Sequence, residues 1–235
     1  MMNCIKSLRK WKVGLGVMLA MGLPLGAAAM QWPDTGQRSC YDNEKMISCP
    51  DDKTAPFYGQ DAQYNGPAHL YTKLAAEGVE LYDSAKDWIM VRDNVTGLIW
   101  EVKNSFDAKI DYSNPNDADN KYTWCNPALG YHAGTCGDDS SYDTEEFITA
   151  LNDSSFGGFS DWRMPSVQEL ATLLYMGPAP LVDWNYFQVA VSLPYWSGTP
   201  FAGDSSKWYI SFNSSNMGTT SSSSKYYALA VRGGL

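Results

Sequence analysis

Three groups of residues in this 235-residue sequence have types and spacings that could do chemistry. The loop "NPNDADN", residues 114–120, offers hard oxygen ligands at alternating positions, and Asp117, Asp119 and Asn120 could hold a Ca2+ ion there. It lacks the glycine and the distal glutamate of an EF-hand loop, and a solvated turn is the plainer reading. Asp138, Asp139 and Asp143 form a second acidic group of the same kind. The C-terminal third, 195–231, mixes Trp and Tyr with Ser, Asn and Gly, the palette of adaptable binding surfaces with rigid aromatic anchors. Its candidates for ligand contact are Tyr195, Trp196, Trp208, Tyr209, Asn213, Asn216, Tyr226 and Tyr227. Strands alternate their side chains, so about half of these are expected in the core. The third group is cysteine: Cys40, Cys49, Cys125 and Cys136 come after the N-terminal region.

Catalysis finds little support. Two histidines cannot make a metal triad, and there is no H-E-x-x-H, G-x-S-x-G or phosphate loop. Ser166 has no histidine nearby and is better explained as a helix cap. In the triplet Asp161–Arg163, Trp162 is expected in the core and Arg163 in a pair with a carboxylate such as Asp161 or Glu101.

The first 29 residues read as a secretory signal peptide: Lys6, Arg9, Lys10 and Lys12, then an apolar run broken by glycines and Pro24, then "AAA" at 27–29. Its removal leaves 13 basic against 26 acidic residues, a charge of −13. That repels phosphate backbones and argues against nucleic acid as a partner. No later segment is long and apolar enough to span a bilayer, so the mature chain is not transmembrane. An even cysteine count after an export signal predicts two disulfides. Of three pairings, Cys40–Cys49 and Cys125–Cys136 are favoured because each closes a short polar loop, for about 2–3 kcal/mol apiece.

The elements that must position these residues are partly readable. Residues 30–87 form an irregular, disulfide-pinned segment with a short hairpin around "DNEK"; 71–88 could be hairpin or brief helix. From residue 88, "WIMVRDNVTGLIWEV" reads as strand, turn, strand, with Gly97 supplying a positive φ. Residues 143–152 predict a helix with an Asp143/Glu146 capping box, and "PSVQELATLLYMG" a second one, capped by Ser166 and Glu169 and ended by Gly177. Strands come next in "YWSGTPF", "KWYISFN" and "KYYALAVRG". The fold class is α+β, with a mainly antiparallel sheet and two helices.

The ordered series "TGLIWE", "GGFSDWRMPSVQEL", "YWSGT", "WYISF" and "VRGG", with "DNKYTWC" and the upstream "DTGQRSCYDNE", resembles the Lcl C-terminal domain family over residues 88–234. That resemblance implies a C-type-lectin-like fold, related to formylglycine-generating enzymes, and an extracellular or envelope-exposed binding module in a bacterium. The collagen-like surface adhesin that names the family binds glycosaminoglycans and trimerises through this domain. This chain lacks a collagen-like repeat and ends "ALAVRGG" where relatives carry a further arginine, which argues against sulfated glycans. The oxidases of this fold use a cysteine pair late in the domain, and no cysteine occurs after Cys136. The expectation is a secreted, non-catalytic module, with no required cofactor, that binds a glycan or surface protein through its C-terminal loops. The alternative is an envelope assembly protein that oligomerises through residues 30–87; a hydrolase or oxidase ranks behind both.

Overall fold

The computed structural model describes residues 31–104, 106–137, 142–175, 182–187, 193–214 and 216–233. The segment read as a signal peptide, Asp138, Asp139 and Gly177 lie outside them. Among the described residues, the architecture is α+β, with two α-helices and mainly antiparallel pairing. Among the described residues, no helix is long and apolar enough to cross a membrane.

The N-terminal segment holds the expected hairpin. β1 (Cys40–Tyr41) pairs with β2 (Met46–Ile47), and the Asp42 carboxylate accepts the N–H groups of Glu44 and Lys45 to close the turn. Cys40 is bonded to Cys49 and Cys125 to Cys136, the favoured pairing. Gln60 ties the hairpin to the downstream chain, accepting from the Tyr41 N–H and donating to its carbonyl.

The main sheet has the order β3 (Tyr71–Leu74), β4 (Met90–Asp93), β5 (Leu98–Glu101) and β9 (Val231–Gly233). Residues 71–74 lie on the N-terminal side of the boundary drawn at 88 and still supply its edge strand, which resolves the ambiguity of 71–88. Gly97 adopts φ +77° in the β4–β5 turn. Asp93 Oδ1 accepts from the N–H groups of Val95 and Thr96. The Asn94 side chain reaches Thr72 and Arg92. Val91, Trp100 and Val231 stand in register on one face, while Met90 and Ile99 point to the other. Both faces are covered, so near-continuous apolar strands suit this sheet.

Helix α1 (Thr144–Asp153) carries the predicted Asp143/Glu146 box and buries Phe147 and Leu151. Helix α2 (Val167–Ala171) carries the Ser166/Glu169 box but is shorter than expected. Thr172 ends it: its hydroxyl donates to the Glu169 carbonyl at 2.7 Å, and Leu173 is then buried from a turn. A second sheet consists of β6 (Pro194–Pro200), β7 (Lys207–Ser211) and β8 (Asn216–Thr220), with β7 in the middle. Trp162 is buried as expected, but Arg163 pairs with neither named carboxylate. It grips Glu169 with two bonds of 2.6 and 2.7 Å; Asp161 is taken by Arg232, and Glu101 by Lys103.

Candidate functional site

The structure splits the C-terminal aromatic set. Tyr195, Trp196 and Tyr227 are buried, three of the eight candidates of which about half are expected in the core. Register explains it. Tyr195 opposes Ile210 on the face that packs on α2 and the main sheet, where half-buried Trp208 joins them. Trp196 opposes Tyr209 on the other face. That second face is closed by Trp124, which arrives from a distant loop. The Trp196 indole N–H donates to the Tyr122 carbonyl and the Trp124 indole N–H to the Ser197 carbonyl, both at 2.7 Å. Buried Lys207 lies 4.4 Å from the Trp124 ring centroid and donates to the His132 carbonyl. Tyr226 packs on Trp196, tilted by 35° with ring centroids 4.7 Å apart, and meets Tyr209 edge-on; both Tyr226 and Tyr209 are half-buried. Gly218 leaves room for the Tyr209 ring, since a Cβ there would stand 2.7 Å from its hydroxyl. Asn213 and Asn216 are exposed.

The loop 114–120 is likewise not the solvated turn expected. Asn116, Asp117, Asp119 and Asn120 are buried. Asp117 Oδ1 accepts the Asp119 N–H, Asp119 Oδ2 the Asp107 N–H, and Asn120 Oδ1 the Asp111 N–H. One side-chain oxygen of each is thus bonded to nearby backbone. Burial, with Asp119, Asp107 and Asp111 nearby, raises the Asp117 pKa. Among the described residues, no group of three or more His, Cys, Asp or Glu is arranged to hold a metal ion. Asp143 serves as a helix cap.

A concave site lies where the N-terminal segment meets residues 173–175 and 182–185. A recess of about 530 Å3 is walled by Asp34, Arg38, His69 and Tyr71 on one side, and by Tyr175, Asp183, Trp184 and Asn185 on the other. Gly36 makes the wall possible: it has φ +80°, and a Cβ there would stand 2.7 Å from the Tyr175 ring. Asp34 is anchored through its N–H to the Pro67 carbonyl. Its carboxylate accepts the Gly36 N–H at 2.7 Å and faces Arg38 at 3.2 Å, and these contacts hold its pKa below the usual aspartate value. Burial lowers the His69 pKa, so its ring is neutral at pH 7, and Nδ1 is 2.9 Å from the Tyr71 hydroxyl. Tyr71 in turn packs on Tyr186 and Phe187. Asp183 Oδ1 accepts from the N–H and side-chain amide of Asn185, which shapes the loop that presents Trp184. The Trp184 and Tyr175 side chains remain 48% and 41% exposed.

This recess joins aromatic faces to carboxylate acceptors and amide or guanidinium donors. Such a lining suits a polyhydroxylated ligand: C–H faces pack on the rings while hydroxyls bond to Asp34, Asp183, Asn185 and Arg38. Sequence reading missed it because its walls come from four separated segments. The signal available was "PAPLVDWNYF", an Asp-Trp-Asn set in a proline-punctuated stretch between helix and strands.

The family model described as Lcl C-terminal domain matches residues 89–232, more than half of the chain. No curated protein and no solved structure matches it.

Proposed function

The chain belongs to the Lcl C-terminal domain family, and on that premise we propose that it is an exported, non-catalytic recognition module of the bacterial envelope or exterior, which binds a glycan in the recess beside Trp184. The observation that supports this most is the pair of half-exposed rings, Trp184 and Tyr175, flanking the ionised carboxylate of Asp34. The net acidity of the chain favours a neutral or amine-bearing saccharide over a sulfated one. The reading needs no cofactor. A glycan array followed by calorimetry tests it. Trp184→Ala and Tyr175→Ala are expected to weaken the best hit about tenfold or more, the loss typical of a central aromatic anchor, with circular dichroism unchanged. Absence of any hit for the wild type, or full affinity in Trp184→Ala, would refute the assignment.

One observation favours a second reading, self-assembly through the N-terminal segment. Exposed large apolar side chains crowd there, among them Trp32, Tyr41, Met46, Tyr64, Leu70 and Tyr82. Light scattering and crosslinking of the mature chain decide it: a defined oligomer crosslinked through residues 31–87 supports assembly, and a monomer at high concentration removes it.

A further inference from the structure

Strand β5 ends in Glu101, and Lys103 comes two residues later on the same side of the chain. With Asn116 they form a buried trio, exposed to 0%, 6% and 5% respectively. A single carboxylate oxygen, Glu101 Oε1, stands 2.7 Å from Lys103 Nζ and accepts from Asn116 Nδ2 at 2.8 Å. The other oxygen accepts the Ala230 N–H. Lys103 Nζ also donates to the carbonyl of Pro115, the residue before Asn116, and sits 4.1 Å from the Phe147 ring centroid. The backbones are pinned side by side: the Asn104 N–H donates to the Asn116 carbonyl, and the Ala118 N–H to the Asn104 carbonyl, each at 2.9 Å.

A structural ion pair needs only an amine and a carboxylate. Here a primary carboxamide is added, on the same oxygen as the amine, in a buried place beside the Phe147 ring. We infer that Lys103 and Asn116 join in an intramolecular isopeptide bond, with Glu101 carrying the proton. Neutral Lys103 Nζ attacks Asn116 Cγ. The Nζ–Cγ bond forms and the Cγ–Nδ2 bond breaks. Glu101 passes the proton lost by Nζ to the departing nitrogen, which leaves as ammonia. Nothing is oxidised or reduced, and no co-reactant is required.

The surroundings suit each role. Burial drives Glu101 and Lys103 toward their uncharged forms, raising the pKa of the acid and lowering that of the amine. A half-turn of the Asn116 amide puts Oδ1 in the place of Nδ2. Protonated Glu101 then donates to that oxygen and polarises Cγ for attack. Fixed backbones hold amine and amide together without a loss of freedom at the moment of reaction. Exclusion of water protects the product from hydrolysis. The bond would tie the end of β5 to the 114–120 loop, which explains why a loop so rich in Asn and Asp is buried.

Mass spectrometry of the mature protein tests this directly. With both disulfides reduced, the chain should weigh one ammonia less than its sequence. Peptide mapping should find a branched fragment that contains both Lys103 and Asn116, which separates this event from cyclisation of an N-terminal glutamine. Glu101→Gln and Asn116→Ala should each return linear peptides over these positions. Wild-type protein that yields chiefly linear peptides, with a free Lys103 amine and an intact Asn116 amide, overturns the proposal whether or not the variants fold.

Discussion

Removing each disulfide in turn separates a covalent effect from a packing effect. Cys125–Cys136 has a sequence separation of 11 and Cys40–Cys49 one of 9. The loop-closure relation converts these to about 2.8 and about 2.6 kcal/mol at 25 °C, values too close to distinguish. The structure separates them. Thr135 N–H donates to the Trp124 carbonyl, and Cys125 exchanges bonds of 2.9 Å with the Thr144 hydroxyl at the start of α1. Opening that loop therefore loosens the lid on Trp124 and Lys207. The β1–β2 hairpin belongs to neither apolar cluster and hangs on Gln60 and Gln63. It can open as a local unit while the sheets persist. In urea titrations followed by tryptophan fluorescence, C125A/C136A should lose about 3 kcal/mol and lower Tm by roughly 6–12 °C for a chain of this size. C40A/C49A should shift the main transition by less than about 1 kcal/mol, as local opening does not draw on global stability. Equal shifts in the two variants would show that the hairpin and the sheets unfold together, and the independence of the hairpin would fall.

Two further outcomes rest on single residues. Gly97→Ala should cost about 1–2 kcal/mol, because the residue sits at φ +77° while its Cβ would meet nothing within 4 Å, so strain is the whole effect. Gly97→Asn should recover part of it, and an unchanged urea midpoint for Gly97→Ala would refute the turn assignment. For Glu169, burial works against the carboxylate, but the bonds from Arg163 and Ser166 outweigh it and leave the pKa below the usual glutamate value. A lowered folded pKa gives stability that is complete above the unfolded value, about 4.3, and is lost as pH falls through the lowered one. The stability gap between wild type and Glu169→Gln should therefore be widest near neutral pH and close on acidification; a gap independent of pH would show that the carboxylate charge contributes nothing.

Local signals survived from sequence to structure, and choices among distant partners did not. The two capping boxes, the Gly97 turn and both short-range disulfides depend on residues a few positions apart, so spacing alone carried them. The length of α2 was not legible, because Thr172 competes for the last carbonyls where apolar periodicity still reads helix. Arg163 had several carboxylates to choose from, and only the crossing of β9 gave Asp161 to Arg232. Alternation in β6 and β7 separates Tyr195 from Trp196, yet it does not say that both faces are covered. That depended on Trp124 folding over from the loop closed by Cys125 and Cys136.

The same geometry moves the proposed seat of recognition away from the strands that looked most like a binding surface. An indole whose N–H is bonded to backbone at 2.7 Å inside a closed layer has no donor left for a ligand, which describes Trp124 and Trp196. Trp184 keeps an open face, because the loop around it is shaped by Asp183 and Asn185 rather than by another aromatic layer. The recess it borders is built jointly: Tyr175, Asp183 and Trp184 lie inside the family match at 89–232, whereas Asp34, Arg38 and His69 precede it. A ligand seated there touches one wall supplied by the domain and another supplied by the preceding segment. Since β3 ties that segment into the main sheet, the second wall is held in place by the fold, and its residues can set specificity without disturbing the domain that carries them.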